Sequence, residues 1–343
     1  MKRIVIIGGG FAGSTAAKML EREFTVTLID TKNYFEFTPG ILRTVLEPAH
    51  MRKIQSLHTH YLHKATIITD TVTTVDEKVV QTKTSSYPYD YLIIASGSSY
   101  NPPIKESCIV IATRAQHLRE HHARLDKAQS VLIIGGGLVG VELAAEIIEH
   151  YPQKKVTIVH AGEKLIERTG EKAIRYATSF LKKRGVEIRY SERVTGADES
   201  GLLTNLGNAL NADMTFMCTG IVPNYEFMKP NLSATLNERN LIKVNESLRV
   251  EGLSNVFAVG DVNDRPVEKT AQNSERQAKL AVSNIRALEA QKPLTSYTSK
   301  PTPMVISLGK WHGIFVHKNF TLTGILPGFL KSFIEKKEMV RYQ

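Results

Sequence analysis

Residues 130–149 read SVLIIGGGLVGVELAAEIIE, and this stretch decides the fold. Val131 to Ile134 is a short apolar run of leucine and β-branched residues, which predicts a buried parallel strand. The turn Gly135-Gly136-Gly137-Leu138-Val139-Gly140 follows and leads into an alanine-rich helical pattern. A G-x-G-x-x-G turn between a strand and a helix indicates a dinucleotide-binding unit, because its glycines and the helix N-terminus can receive a pyrophosphate.

A second turn of the same kind stands near the start of the sequence. Ile4 to Ile7 is its strand, and Gly8-Gly9-Gly10-Phe11-Ala12-Gly13 is the turn. One such turn is weak evidence, but two in one chain predict two dinucleotides held together, and electron transfer between them is the obvious reason. The expected fold class is α/β, with two doubly wound, Rossmann-like domains.

The residue that follows the second strand of each unit bears on the choice of nucleotide. Thr25 to Ile29 ends in Asp30, whose carboxylate can accept hydrogen bonds from ribose hydroxyls. Lys155 to Val159 ends instead in His160, and the expected acid is missing. Because nothing at this position repels a 2′-phosphate, the sequence predicts that NADPH is accepted at least comparably with NADH.

Composition limits the chemistry. The 343 residues carry a formal net charge of +10, which favours anionic partners such as dinucleotides, nucleic acid or a lipid surface, although a solvated basic surface explains it equally well. Cys108 and Cys218 form no C-x-x-C or C-x-x-x-x-C pair, which argues against a dithiol relay or a clustered-cysteine zinc site. His58, His60 and His63 lack a helical-face spacing and are interpreted as surface residues, so no metal is expected.

Targeting signals are not evident. The first strand begins at about Arg3, which leaves no room for a secretory signal. No apolar run approaches the ~20 residues of a membrane span. The expected location is therefore the cytoplasm, with peripheral contact to a membrane as an open alternative.

Strand and breaker signals predict the division into domains. Asp90 to Gly97 reads as a buried strand ending in small residues, which lets backbone close over a cofactor, and Pro102-Pro103 then breaks the chain. Residues 253–262 read as a strand ending in Asp261, and residues 271–289 as a long helix. The breaker predicts a domain boundary just after Pro103, and the segment from about Ile104 to Val250 holds the second fingerprint.

Taken in order, five segments resemble the signatures of the two-dinucleotide flavoproteins, the pyridine nucleotide–disulfide oxidoreductase superfamily. They are Gly8 to Gly13 with Asp30, Asp90 to Gly97, Gly135 to Glu142, Cys218 to Asn224, and Asn255 to Asp261. The resemblance implies FAD on the first fingerprint and NADH or NADPH on the second. It also implies an FAD domain of residues 1–103 and 252–292 that is split by an NAD(P)H domain of residues 104–251, with a C-terminal segment of residues 293–343. The implied FAD contacts are Gly8, Gly10, Phe11, Ala12, Gly13, Asp30, Thr31, Lys32, Arg43, Val72, Ala95, Ser96, Gly97, Asp261 and Ala271. The implied NAD(P)H contacts are Gly135, Gly137, Leu138, Val139, Gly140, His160 and Gly220.

Two branches of the superfamily are most similar. Residues 33–39, NYFEFTP, resemble a stretch of the type II NADH dehydrogenases, and residues 156–160 and 250–261 look more like the ferroptosis suppressor branch of the apoptosis-inducing-factor-like flavoproteins. Both branches imply an FAD-dependent NAD(P)H:quinone oxidoreductase, acting on ubiquinone- or menaquinone-type quinones without redox cysteines. In two respects the chain departs from them. Arg276 replaces the second glutamine of A-Q-x-x-x-Q, and the myristoylation signal of the animal ferroptosis suppressor is absent.

Two catalytic residues are implied by the resemblance. Glu142 lies in the second fingerprint, where a glutamate approaches nicotinamide and flavin; the alternative is an acid that complements the helix dipole. Lys331 resembles a C-terminal lysine of the ferroptosis suppressor branch that reaches the flavin, where an ammonium stabilises developing negative charge. The alternative for Lys331 is a solvated lysine on a basic helix.

The C-terminal segment has a second interpretation as a membrane-binding helix. Its apolar residues follow the spacing i, i+3, i+4, i+7, i+8 and are Leu326, Phe329, Leu330, Phe333 and Ile334. With Lys336 and Lys337 beside them, they could lie in a membrane interface, on the protein's own core or against a dimer partner. Truncation after about Pro327 is expected to harm quinone reduction while leaving FAD tightly bound.

Two rival functions remain at the level of the sequence. One is a ferredoxin- or rubredoxin-reductase-type flavoenzyme, whose acidic protein acceptor would suit the basic charge. The other is an apoptosis-inducing-factor-like flavoprotein with a mainly binding role. No base-reading motif is present, so no nucleic acid partner is expected, and the sequence leaves the oligomeric state undetermined.

Overall fold

The architecture is mixed α/β, with parallel sheets at the centre of each fingerprint unit. The computed structural model describes residues 1–106 and 110–342. Within them, helices flank two parallel sheets, and small antiparallel sheets extend from these layers. The predicted fold class is therefore confirmed.

The first parallel sheet carries the N-terminal fingerprint at its middle strand. Arg3–Ile7 pairs in parallel with Thr25–Asp30 on one side and with Tyr91–Ile94 on the other. Thr66–Thr69 and Val256–Ala258 complete the two edges. The middle strand is a continuous apolar run because both of its faces are buried.

The second parallel sheet repeats this plan with fewer strands. Ser130–Ile134 lies between Lys155–Val159 and Met214–Met217, and Glu187–Arg189 forms the edge beside Lys155–Val159. In both sheets the carboxyl end of the middle strand leads into a glycine turn, so each turn lies at the ligand-binding edge of its sheet.

Helices start directly at the two turns. Phe11–Leu20 starts within the first turn and Leu138–His150 within the second, each directly after the third glycine. Ala271–Glu289 has the bounds that the sequence predicted, and the hydroxyl of Thr270 caps its N-terminus. The remaining described α-helices are Ile41–Leu46, Met51–Ile54, His58–Tyr61, Ile111–Lys127, Glu171–Lys182, Lys229–Leu232 and Ile325–Met339.

The antiparallel strands form short extensions. They are Tyr34–Glu36 with Gln55–Leu57, Val72–Val75 with Val79–Thr82 and Ser86–Pro88, Ser98–Ser99 with Val222–Pro223, Val194–Asp198 with Gly201–Thr204 and Ala209–Leu210, and Met304–Leu308 with His312–His317 and Phe320–Gly324. Short β-rich runs over residues 66–80 predict a small meander. The structure differs for Thr66–Thr69, which is an edge strand of the first parallel sheet, because alternation does not reveal which strand is the partner.

The segment after Asn224 contacts two different sheets. The amide of Asn231 donates to the carbonyl of Val75, in the antiparallel sheet, at 3.3 Å, and the N–H of Val250 donates to the carbonyl of Val256, in the first parallel sheet, at 2.8 Å. These contacts place the segment beside the elements of the first fingerprint unit.

The C-terminal segment packs back onto both domains. Helix Ile325–Met339 lies on the antiparallel sheet that precedes it. Beyond the helix, the ring of Tyr342 stacks on Phe35 with centroids 3.7 Å apart, and Lys18 Nζ donates to the carbonyl of Arg341 at 2.7 Å. Truncation after Pro327 would therefore uncover the first domain, so the expectation that FAD binding survives it does not follow from the structure.

A membrane-spanning element is not found within residues 1–106 and 110–342. None of the helices described there combines the length and the apolar character needed to cross a bilayer.

Candidate functional site

Each fingerprint glycine has a separate steric reason. A Cβ at Gly8 would lie 2.4 Å from the carbonyl oxygen of Ala95, and one at Gly13 would lie 1.8 Å from that of Gly8. Side chains are thus excluded from the tight turn and from the helix–strand contact. A Cβ at Gly10, in contrast, has no atom within 4 Å. The space above Gly10 fits the close approach of a dinucleotide pyrophosphate.

The second turn repeats this pattern. A Cβ at Gly135 would lie 2.3 Å from the carbonyl oxygen of Cys218, and one at Gly140 would lie 2.0 Å from that of Gly135. A Cβ at Gly137 has no atom within 4 Å. Both turns therefore present an open backbone face, next to a helix N-terminus, that suits a pyrophosphate.

Asp30 is held by a buried network. Its Oδ2 accepts from the N–H of Gly9 at 2.8 Å and lies 3.3 Å from His58 Nε2. His58 Nδ1 lies 2.6 Å from the hydroxyl of Tyr61, which lies 2.7 Å from that of Ser14. Burial alone would raise the pKa of Asp30, but the hydrogen bond from His58 and the charge of Lys32 hold it below its ordinary value.

The interpretation of His58 as a surface residue was wrong. Its side chain is fully buried because it bridges Asp30 and Tyr61. No local spacing predicts the contact with Asp30, because Asp30 lies on a strand 28 positions away. On the other oxygen of Asp30, Oδ1, the N–H of Lys32 donates at 3.2 Å and the hydroxyl of Thr31 at 3.4 Å.

His160 occupies in the second unit the place that Asp30 has in the first. The N–H of Gly136 donates to His160 Nδ1 at 3.1 Å, just as the N–H of Gly9 donates to Asp30. The imidazole therefore replaces the carboxylate as acceptor for the middle glycine of the turn.

Asp261 and the small residues before it lie where the two domains meet. Ser98 Oγ donates to Asp261 Oδ2 at 2.7 Å, and Lys105 Nζ lies 3.7 Å from the same oxygen. Ser96 Oγ donates to the carbonyl of Asn224 at 2.7 Å, and the N–H of Asn224 donates to the carbonyl of Gly97 at 3.0 Å. Ser98 and Lys105 were not predicted, because neither belongs to a motif.

The other predicted cofactor residues fall into three places. The two fingerprint helices begin with Phe11 and Ala12 and with Leu138 and Val139. Strands or loops beside the two turns end at Ala95 and Gly220. A strand that lies next to the end of the Asp30 strand begins at Val72. Ala271 begins the late helix. Arg43 lies apart from the first turn, because its guanidinium pairs with Glu146 at 3.0 Å.

The two predicted catalytic residues meet. Lys331 Nζ lies 3.0 Å from Glu142 Oε1, and both side chains are mostly buried, with 15% and 12% of their surface exposed. The same oxygen accepts from the N–H of Ser307 at 2.7 Å and lies 3.0 Å from its hydroxyl. The fingerprint helix of the second domain, the C-terminal sheet and the C-terminal helix thus converge on one carboxylate.

Further charged pairs surround this cluster. Arg43 contacts Glu146, one helical turn beyond Glu142, and His50 Nε2 lies 3.0 Å from Glu335 Oε1 on the C-terminal helix. A small cavity between them is lined by Pro39, Gly40, Leu42, Arg43, Glu146, Ser307, Lys331, Ser332 and Glu335. The sequence could not reveal Ser307, Glu146 or Glu335 as neighbours, because no local spacing connects them.

The described cysteine lacks the features of a redox thiol. Cys218 is buried, and burial raises the pKa of its thiol to about 12. A thiolate is the reactive form, so this thiol is inert at neutral pH. Cys108 lies outside the described residues. Across the described part of the chain, no three His, Cys, Asp or Glu side chains are placed to hold a metal ion.

We therefore expect that no thiol is needed for electron transfer. The double variant Cys108→Ser, Cys218→Ser should turn over at a rate within about twofold of wild type, because the unreactive Cys218 thiol can take no part in the reaction. Steady-state oxidation of NADH or NADPH measures this rate. Loss of activity with FAD still bound would require a cysteine relay.

Two glycine turns open to a pyrophosphate, one beside each parallel sheet, are the arrangement of the NAD(P)H-dependent flavoprotein oxidoreductases. The chain belongs to the pyridine nucleotide-disulphide oxidoreductase family, whose model matches residues 2–278. FAD and NADH or NADPH are accordingly its two dinucleotides, as the sequence predicted.

Individual relatives cover nearly the whole chain. It is 32% identical to apoptosis-inducing factor homolog B of Dictyostelium discoideum, over 98% of this chain and 94% of that protein. It is 29% identical to human ferroptosis suppressor protein 1, over 96% and 92%. These matches confirm the resemblance to the apoptosis-inducing-factor-like branch.

Solved structures share the fold. The sulfide:quinone oxidoreductase of Aquifex aeolicus superposes with a TM-score of 0.85 at 19% identity, covering all of this chain and 91% of the other. NDH2 of Plasmodium falciparum, solved with NADH, superposes with a TM-score of 0.81 at 15% identity, covering 99% and 98%.

Proposed function

We propose that this chain is an NAD(P)H:quinone oxidoreductase. The observation that carries the proposal is the Lys331–Glu142–Ser307 cluster, in which a buried cation and a buried acid meet at the junction of both domains and the C-terminal segment. A quinone that takes up two electrons becomes anionic unless protons follow, so a nearby cation and proton-exchanging acid favour its reduction. The Aquifex aeolicus enzyme that shares the fold is named a sulfide:quinone oxidoreductase, after a quinone acceptor.

Different residues of the chain would bind FAD and assist the reaction. FAD, when bound, supplies the chemistry that accepts a hydride from NAD(P)H and passes on two electrons. Gly10 and Asp30 would hold the adenosine and pyrophosphate part of FAD, and Asp261 its ribitol. Glu142 would orient Lys331 and exchange protons, and Ser307 fixes the carboxylate of Glu142 by two contacts.

An anaerobic titration tests this function. NADH or NADPH should bleach the visible flavin absorbance of the purified yellow protein, and a short-chain quinone added afterwards should restore it. An acidic iron–sulfur protein tests the ferredoxin-reductase alternative, and slow turnover with steeply salt-dependent DNA affinity would support the binding alternative. The proposal fails if the bleached protein is re-oxidised by the iron–sulfur protein and not by quinone.

The C-terminal helix favours contact with a membrane, where long-chain quinones reside. Leu326, Phe329 and Phe333 are more than half exposed on one face, and the ring of Trp311 lies 5.7 Å from that of Phe329. Leu330 and Ile334 are partly buried. Of the five residues in the predicted apolar stripe, these two therefore pack against the protein and the other three are exposed. A lysine that contacts lipid headgroups could not also act beside a cofactor. Because Lys331 points inward to Glu142, the helix can contact a membrane without using this lysine.

We expect the double variant Leu326→Ser, Phe329→Ser to bind anionic lipid vesicles at least roughly tenfold more weakly than wild type, because buried apolar side chains supply the binding energy. Vesicle co-sedimentation measures the affinity. Leu206→Ser is the control, since Leu206 is equally exposed on a hairpin of the second domain. Equal losses in both variants, or none in either, would contradict a specific lipid-binding face.

A further inference from the structure

The loop after Lys155–Val159 carries an acid close to His160. Because His160 Nδ1 accepts from Gly136, the ring hydrogen is on Nε2. His160 Nε2 lies 3.9 Å from Glu167 Oε1, which is too long for a hydrogen bond. The imidazole and the carboxylate therefore face each other without being joined, seven positions apart in the sequence.

The carboxylate of Glu167 has a defined place on this loop. The N–H of Lys164 donates to Glu167 Oε1 at 3.3 Å. A Cβ at Gly162 would lie 2.0 Å from the same oxygen, so the glycine leaves the space that the carboxylate fills. Glu167 remains about half exposed and open to a ligand that approaches the second turn.

We propose that Glu167 selects NADH over NADPH, and that it supplies from the loop the acid that is missing at position 160. This inference rests on the NAD(P)H site of the proposed function, but not on the quinone acceptor. It replaces the expectation, drawn from His160 alone, that both nucleotides are accepted comparably.

Hydrogen-bonding capacity supports this assignment. A free ribose hydroxyl has one donor and two acceptor sites, so it can accept from His160 Nε2–H and donate to Glu167 at the same time. A 2′-phosphate brings acceptor oxygens and negative charge. It could accept from His160, but the carboxylate of Glu167 would repel it.

The basic side chains of residues 160–171 do not offset this repulsion. Lys164 Nζ lies 2.6 Å from Glu171 Oε1, and Arg168 lies 3.8 Å from Glu268 Oε2. Each cation is already directed to a carboxylate. Lys164, the basic residue that follows His160 most closely in the sequence, is thus paired with Glu171.

Two ligands that differ only in the 2′-phosphate test the proposal. We would measure the dissociation constants of 5′-AMP and adenosine 2′,5′-bisphosphate for the FAD-loaded protein by calorimetry at fixed ionic strength. Wild type should bind 5′-AMP at least about tenfold more tightly, because a close pair of like charges costs at least this much. Glu167→Gln should reduce that preference by about tenfold.

Glu163→Gln is the matched control. Glu163 is exposed on the same loop, so its removal changes the net charge equally without touching the pair of His160 and Glu167. The preference should stay unchanged in this variant. The anaerobic rates of flavin reduction by NADH and NADPH should follow the same order in all three proteins.

Several outcomes would overturn the inference. Equal affinity of wild type for the two ligands would restore the expectation based on His160. If Glu167→Gln and Glu163→Gln change the preference for 5′-AMP equally, the effect is due to long-range charge. If neither ligand binds, the nucleotide site is not where we place it. Because neither ligand carries nicotinamide, a failure to reduce quinone leaves this result unaffected.

Discussion

Gly10→Asp is expected to yield a folded but colourless protein. Gly10 has φ −76° and no atom within 4 Å of an added Cβ, so aspartate fits its backbone and its surroundings. Gly10 is also the N-cap of Phe11–Leu20, a position that aspartate favours. The new carboxylate would, however, occupy the space of the pyrophosphate, and we expect FAD affinity to fall at least about a thousandfold.

Gly137→Asp is the reciprocal variant. Gly137 has φ −74° and the same open space, so this protein should also fold, remain yellow and resist bleaching by NADH or NADPH. Gly196→Asp is the control for an added charge, because Gly196 also has an open Cβ position but lies on an exposed hairpin. FAD content per chain, melting temperature and anaerobic bleaching report the three properties. A yellow Gly10→Asp protein would contradict the assignment of FAD to the first turn.

Lys331→Met is expected to slow quinone reduction by about a hundred- to a thousandfold, the usual cost of removing one electrostatic contact from a reacting centre. FAD binding should persist, because Lys331 contacts Glu142 rather than the first turn. The assay is steady-state turnover with a short-chain quinone in detergent, so that lipid contact plays no part. Lys336→Met is the matched control on the same helix, since Lys336 is exposed, and it should stay near wild type.

The double variant Glu142→Gln, Lys331→Met distinguishes a loss of catalysis from a loss of folding stability. Removing Lys331 alone leaves the carboxylate of Glu142 buried without its cation, which destabilises a protein. The double variant carries neither charge, so it should recover the melting temperature and remain slow. If Lys331→Met lowers only vesicle binding and leaves the detergent assay unchanged, the lysine is a lipid contact instead.

The sequence by itself determined the elements that depend on local patterns. Apolar runs followed by G-x-G-x-x-G marked both middle strands, and helix Ala271–Glu289 was predicted to the residue. Glycine spacing also indicated which positions a ligand requires, because each glycine acts through its own backbone. Order and spacing of these motifs were enough to place the chain in its family.

Only the tertiary structure decided contacts between distant elements. Glu142 and Lys331 are 189 positions apart, and no spacing rule predicts that they share a hydrogen bond. His58 was misjudged for the same reason, since its buried place depends on Asp30, which lies 28 positions away on another element. Likewise, a role for Glu167 in nucleotide selection can be inferred only because the fold brings its carboxylate close to His160. Local periodicity records which face of an element is buried, whereas a site depends on which elements that burial brings together.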